Sequence, residues 1–442
     1  MTITKLSRYT LFLLIAIPFM MGLLFESQNP NELIAVGEGT QNESMVQWHR
    51  TYGGTSGDEA PDLVSTTDGG FALAGSTGSL GAYGSEMWLV KTDANGVEEW
   101  SRTYGGFDSD WASALVQTDD GGFALAGLTR SFGVGGGDVW LVKTDSDGVL
   151  QWDQTYGRWG AEGASSLIQT LDGGFAIAGY TTSYGAGDFD MFLVKTDKDG
   201  NEEWIQTFGG KQYNNINSND WAKAIIQTND GSFAIAGYNV SFDRGSDMWL
   251  VKTDENGVAQ WNKSYGGDGA DEAHALIQTR EGGFALTGIS GSFGVGGGDM
   301  WLVRTDANGI MQCSQTYGGT GSDWATSIVQ DDDDGFALAG LTASFGVGSG
   351  DLWLLKTDRN CMEQFSQAFG GLAPDWASAL VQAPDNGYVL AGLTSSFGDT
   401  NRDMWLVKIV INPKLDGINA IGLIFFFVIA TLLGLSWIKN RK

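Results

Sequence analysis

Between residues 45 and 410 short apolar runs alternate with polar turns, and one order of runs returns seven times. The second unit shows it. Ala114–Thr118 is a short apolar run, closed by the turn Asp119-Asp120-Gly121-Gly122. Phe123–Leu128 (FALAGL) predicts a second strand, and the glycine-rich stretch SFGVGGG follows it. Val139–Thr144 (VWLVKT) predicts a third, ended by Asp145-Ser146-Asp147-Gly148, and Val149–Tyr156 (VLQWDQTY) a fourth. Apolar residues do not recur at helical spacing over three turns, which disfavours helices. Four short strands with turn residues between them suit an antiparallel meander. The third strand is apolar on consecutive residues, which predicts burial on both faces. The second alternates large Phe with small Ala, and the fourth is more polar, as an outer edge should be. Order along the chain therefore predicts order from the inside outward.

The aromatic marker of the third strand falls at Trp88, Trp140, Phe192, Trp249, Trp301, Trp353 and Trp405, at gaps of 52, 52, 57, 52, 52 and 52 residues. A repeat of this size with several short strands is the signature of a β-propeller blade. The fourth-strand marker (Trp48, Trp100, Trp152, Trp204, Trp261, Cys313, Phe365) precedes the first complete unit and is missing after Trp405. Met45–Gly54 should therefore be the outer strand of the last blade, closing the ring and removing an exposed edge. Windows 131–145 and 292–306 differ only at Val139/Met300 and Lys143/Arg304, as duplicated units would. The expected fold is all-β, a seven-bladed β-propeller over 45–410 whose N-terminal strand closes the last blade, with one C-terminal transmembrane helix.

The segments GGFALAG and DVWLVKTDSDG resemble the repeats of bacterial and archaeal β-propeller repeat proteins, over about residues 45–410. That resemblance implies seven blades and a secreted or surface setting, without an assigned chemistry. Asp93–Trp100 (DANGVEEW) is similar, more weakly, to quinoprotein-type propeller repeats.

The termini carry the address. Lys5 and Arg8 precede an apolar run from Tyr9 to Phe25, so residues 1–27 read as a signal peptide or an uncleaved anchor, with 28–44 as a linker. After a linker at 411–417, Ile418 to Ile438 offers an uncharged stretch long enough to span a bilayer. The basic tail 439–442 that follows belongs in the cytosol by the positive-inside tendency. The propeller then lies outside the cell, single-pass, or two-pass if the first segment is retained. The net charge of −28 argues against nucleic acid as a partner. Cys313 and Cys361 replace a fourth-strand Trp and a tight-turn Gly on neighbouring blades, places expected to be too far apart for a bridge. Asn42, Asn239 and Asn262 head candidate glycosylation triplets.

Two rings of charge recur. The first is a carboxylate opening each first strand: Asp58, Asp110, Glu162, Asp220, Asp271, Asp323 and Asp375. Trp111, Trp221, Trp324 and Trp376 follow directly in four repeats, where Glu59, Gly163 and Glu272 stand in the others. If first strands are innermost, these groups ring the channel mouth, and acids with indoles are what a carbohydrate pocket needs. Strict recurrence favours the alternative, with Asp capping a turn and Trp wedged between blades. The second ring has an acid (Glu86, Asp138, Asp190, Asp247, Asp299, Asp351, Asp403) and a base five residues on (Lys91, Lys143, Lys195, Lys252, Arg304, Lys356, Lys408), which predicts a repeated structural pairing between blades.

Turns such as Asp93-Ala-Asn-Gly96 resemble short Ca²⁺ loops, but Asx-turn chemistry explains them without metal, so no cofactor is implied. The single insertion, around Lys211 to Asn219, falls on the long-loop side, where recognition is expected. His49 and His274 have no partner motif, no nucleophile elbow or metal spacing appears, and no symmetry-breaking cluster of His, Arg or Tyr is evident. The expected function is a non-catalytic binding or adhesion module for a glycan or protein outside the cell. An envelope-assembly scaffold and a glycan-active or quinone-dependent enzyme are the competitors.

Overall fold

The structure is a computed structural model. It describes residues 34–36 and 45–411, apart from 82–83, 186–187, 210–218, 242–244 and 399–401. The leader 1–27, the stretch 418–438, the tail, Asn42 and nearly all of the insertion lie outside the described residues. Among those described, no helix is long and apolar enough to cross a membrane.

The fold is the expected seven-bladed β-propeller. Blade 1 runs through strands Asp58–Ser65, Phe71–Thr77, Glu86–Thr92 and Glu98–Tyr104. Blades 2 to 6 begin at Asp110, Glu162, Trp221, Asp271 and Asp323 and repeat the same antiparallel meander. Blade 7 has three strands between Asp375 and Ile409, and its fourth is Val46–Tyr52. Thr51 stands opposite Trp405 and Trp48 opposite Lys408, so the chain's two ends close the ring. The first strands touch one another in succession, and that of blade 7 touches that of blade 1. Ile34–Val36, inside the stretch read as a linker, adds a fifth strand to the outer edge of blade 6.

Burial follows the reading of the strands. In Asp138–Thr144 every residue is buried, whereas Glu98–Tyr104 is exposed or half-buried up to its last residue. The apolar core lies between sheets. Ala72, Ala74, Met87 and Leu89 of blade 1 pack on Leu115, Phe123 and Trp140 of blade 2, and blade 7 meets blade 1 in the same way through Val389, Met404 and Leu406.

Blades are also tied at their rims. The Trp48 ring lies so close to Gly96 that a Cβ there would stand 2.7 Å from Trp48 Cζ3, and Gly96 holds φ at +70°. The Tyr52 hydroxyl donates to the Gly96 carbonyl at 2.6 Å. The same Trp–Gly–Tyr contact recurs at Trp100–Gly148–Tyr104 and Trp152–Gly200–Tyr156. Cys313 and Cys361 take the Trp and Gly places of this contact, and they form a disulfide with Cα atoms 6.2 Å apart. This corrects the expectation of separated thiols. The two positions belong to different blades, but they are the very pair that meets at five other rims.

The second charge ring is corrected as well. Five residues along a strand span about 17 Å, so the acid and base of one third strand sit at opposite ends. The base pairs instead with the turn between the first and second strands: Lys91 with Asp68 at 2.8 Å, Lys143 with Asp120 at 2.9 Å and Lys408 with Asp385 at 2.8 Å. The turns after the third strand are Asx turns: Asp93 Oδ1 accepts the amides of Asn95 and Val97 at 2.8 Å each.

Candidate binding site in the axial channel

The carboxylates that open the first strands do not face the channel. Asp110 is fully buried and accepts hydrogen bonds from Thr129 Oγ1 (2.5 Å), Ser131 Oγ (2.7 Å) and the Gly106 amide (2.9 Å). Asp58, Asp323 and Asp375 repeat this pattern with their own Thr, Ser and Gly, and Asp271 with two serines and Gly267. Glu162 accepts from Thr181 and the amides of Ser183 and Arg158, and Asp220 from the Val240 amide. The amides of six of these acids, all but Asp271, in turn donate to the previous blade, as Asp110 does to the Ser85 carbonyl at 2.8 Å. These groups are latches between blades, placed beneath the mouth because each carboxylate must satisfy the start of one strand and the end of another. The acids of the second ring press against them. Burial first, and then the facing Glu162, Asp323 or Asp375, raises Asp138, Asp299 and Asp351 above the ordinary carboxylate range.

What faces the channel is a ring of bulged residues. In blades 2 to 7 the pairing of first and second strands skips one residue, between Ala112 and Ala114 in blade 2; in blade 1 it skips two, between Glu59 and Asp62. The bulged residues are Pro61, Ser113, Ser165, Lys223, His274, Thr326 and Ser378, and all seven line one cavity of about 560 Å³. A bulge bends its strand and re-aims the side chain. The second strand makes room for it with glycine: a Cβ on Gly127 would lie 1.9 Å from the Trp111 carbonyl oxygen, and one on Gly237 1.8 Å from that of Trp221. The glycine of every FALAG-type strand is thereby explained.

The ring is not sevenfold in chemistry. Three of its members are serine, whereas adjacent blades 4 and 5 supply Lys223 and His274. Around Lys223 an aromatic wall rises. Tyr180 packs on Trp221 with centroids 4.2 Å apart, and Phe189 stacks parallel to Trp221 at 6.0 Å. Tyr180 fits because blade 3 has Gly163 where other blades carry Trp or Glu; a Cβ there would stand 2.6 Å from the Tyr180 ring. Lys223 Nζ sits 4.4 Å over Trp221, and Arg130 lies 5.6 Å over Trp111. His274 Nδ1 donates to the Ala325 carbonyl at 2.8 Å, while Nε2 stands 3.6 Å from Glu272. Burial lowers the Lys223 pKa, partly opposed by Glu272, and burial raises the Tyr238 hydroxyl to about 12.

A symmetry-breaking cluster of Arg, Lys, His and Tyr therefore does exist at the channel, contrary to the expectation from sequence. Of the expected indoles, Trp111 and Trp221 line the cavity; Trp324 and Trp376 are half-buried and stand outside that wall. Asn262 is exposed on an outer strand, and Asn239 is half-buried in blade 4. His49 is half-buried too, its ring 5.4 Å from Phe397 and its Nδ1 3.4 Å from Trp405 Nε1. Among the described residues, no group of three or more metal-ligating side chains converges.

No protein-family model matches the chain. A regulatory protein of Caulobacter vibrioides, FlaEY, is 25% identical over 261 residues, which are 51% of this chain and 25% of that protein. The chain thus spans about a quarter of that relative's length. Among solved structures, Sqt1 from Chaetomium thermophilum aligns with a TM-score of 0.45 at 13% identity, over 79% of this chain and 82% of its own. The Pan2 WD40 domain of Neurospora crassa aligns at 0.47 and 10%, over 78% and 88%.

Proposed function

We propose that the protein is a membrane-anchored extracellular propeller of the bacterial or archaeal repeat type, acting as a non-catalytic binding module, and that its ligand is a glycan held in the axial channel. The observation that supports this reading most is the loss of sevenfold chemistry in one sector of an otherwise repetitive channel wall. Repeated positions serve the fold, whereas the combination of Tyr180, Trp221, Lys223 and His274 occurs in a single sector. Indole and phenol faces with a few polar groups are the means by which proteins hold sugars. In sequence the insertion ends directly before Asp220 and Trp221.

The termini support the orientation. Val46 pairs with Ile409, so the described chain enters and leaves on the face of the short turns. An anchor at 418–438 would put that face toward the membrane and direct the long loops and the channel mouth outward. A screen of the full chain for thermal stabilisation by oligosaccharides tests the reading, since a ligand of the native state raises the melting temperature with its concentration. Stabilisation that is lost in Trp221→Ala is expected. A protein panel that stabilises the chain where no saccharide does would replace the glycan by a protein partner.

A further inference from the structure

We infer that the sector between blades 2 and 4 selects acidic sugars, with the carboxylate of a uronic-acid unit seated between Arg130 and Lys223; this rests on the channel reading above. The chain holds 53 acidic and 25 basic residues, so two cations beside one channel wall locally reverse its charge. The third-strand bases are all paired with turn carboxylates. Among the described residues, the side chains of Arg130 and Lys223 make neither a hydrogen bond nor an ion pair; Arg130 rests on Trp111, and Lys223 on Trp221 and, at 6.0 Å, on Tyr238. Glu272 does not neutralise Lys223 by contact, because its carboxylate is directed at His274. Between Trp111 and Trp221 the cavity is lined by Ser113, Gly163 and Ser165, with the Tyr180 ring packed on Gly163. A pyranose there would lay its C–H face on an indole, its hydroxyls on the serines and its carboxylate on the two cations, whose bonds to a charged partner are the strong kind.

The same geometry disfavours an acidic peptide. Extended peptides bind by adding a strand to a sheet edge, but the inner edge of each blade is interrupted by its bulge. Some of its amides are also taken by a neighbouring blade: Leu115 by Asp62 at 2.7 Å, Ile225 by Ser166 at 3.2 Å and Leu380 by Ser327 at 3.1 Å. The protein's negative charge is no obstacle at this mouth, since most exposed acid lies on the opposite face, in turns such as Asp119-Asp120 and Asp332-Asp333.

The test is a titration of the full chain, followed by tryptophan fluorescence, with uronic-acid oligomers and with the same oligomers methyl-esterified. The acid form should bind about tenfold more tightly than the ester. In Lys223→Met and Arg130→Ala that preference should fall toward unity, and Lys223→Arg should retain it. Equal binding of acid and ester by the parent chain, or a preference that survives both substitutions, would overturn the anion assignment while leaving the channel reading intact. Binding of neither form, with stabilisation by other saccharides also absent, would remove the channel reading itself. Lys223-dependent binding of an acidic peptide, without binding of uronates, would overturn the sugar assignment.

Discussion

The bridge between Cys313 and Cys361 replaces a contact that other blades make without covalent chemistry, which allows its contribution to be isolated. The bridge closes a loop across a separation of 48 residues. Confining a loop of that size in the unfolded chain is worth about 4 kcal/mol at 25 °C. Cys361 also holds φ at +65°, where a side chain costs roughly 1 kcal/mol that glycine does not. Cys313→Ser/Cys361→Ser should therefore lose about 4 kcal/mol, and its serine at 361 keeps the strained φ. Cys313→Trp/Cys361→Gly restores the rim contact seen at Trp261 and Gly309, releases the strain and buries an indole against its neighbour. It should recover about 2–3 kcal/mol of the loss. With unfolding entropy near 2.1 cal/mol/K per residue over 45–411, 4 kcal/mol corresponds to a melting shift of about 5 °C. Differential scanning calorimetry of the parent, with and without reductant, and of both double variants reads all four values. Identical melting of the two double variants would refute the equivalence of bridge and Trp–Gly contact, and indifference to reductant would refute the loop term.

Three further outcomes follow from the same frame. The turn carboxylates Asp68, Asp120 and Asp172 are opposed in ionising by burial, but their Lys and Thr partners outweigh it and hold them at about 2; at Asp230 the Thr228 hydroxyl leads to the same value. Their folded pKa lies below the unfolded one, so their stabilisation is complete above pH of about 5 and is lost as pH falls toward 2. Urea midpoints across that range should decline, and Asp120→Asn should flatten the decline. Gly127→Ala would drive a methyl into the Trp111 carbonyl and should cost about 1–3 kcal/mol in denaturant unfolding. Trp48→Ala should cost as much as Trp204→Ala, about 3 kcal/mol, because both indoles pack on the next blade's Phe, at 6.2 and 5.9 Å. A negligible cost for Trp48→Ala alone would mean that the closing strand carries no load.

The architecture was legible because each of its signals is local. Strand length, the Asx turns and the 52-residue spacing all follow from chain chemistry within one unit, and the missing fourth marker after Trp405 dictated the closure. What escaped was contact between units. That the fourth-strand Trp meets the next blade's turn Gly is a property of blade packing, so Cys313 and Cys361 looked remote although they fill paired columns of the repeat. For the acids opening the first strands the sequence offered both the mouth and turn capping, with recurrence favouring the cap; their Thr and Ser partners, 19 and 21 residues on, lie beyond local patterning. The channel cluster had a readable trace in the column Pro61, Ser113, Ser165, Lys223, His274, Thr326 and Ser378. Only the bulge, a feature of pairing register, shows that this column faces inward.

The most direct test of the functional account compares the two sides of the channel. Thermal stabilisation by a bound saccharide is measured for Trp111→Ala and Trp221→Ala, which alter the asymmetric wall, and for Trp324→Ala and Trp376→Ala, which occupy equivalent repeat positions outside it. Each variant is referenced to its own ligand-free melting temperature. The account predicts that the first pair loses the shift and the second keeps it. Equal loss from all four, or loss confined to Trp324 and Trp376, would contradict it.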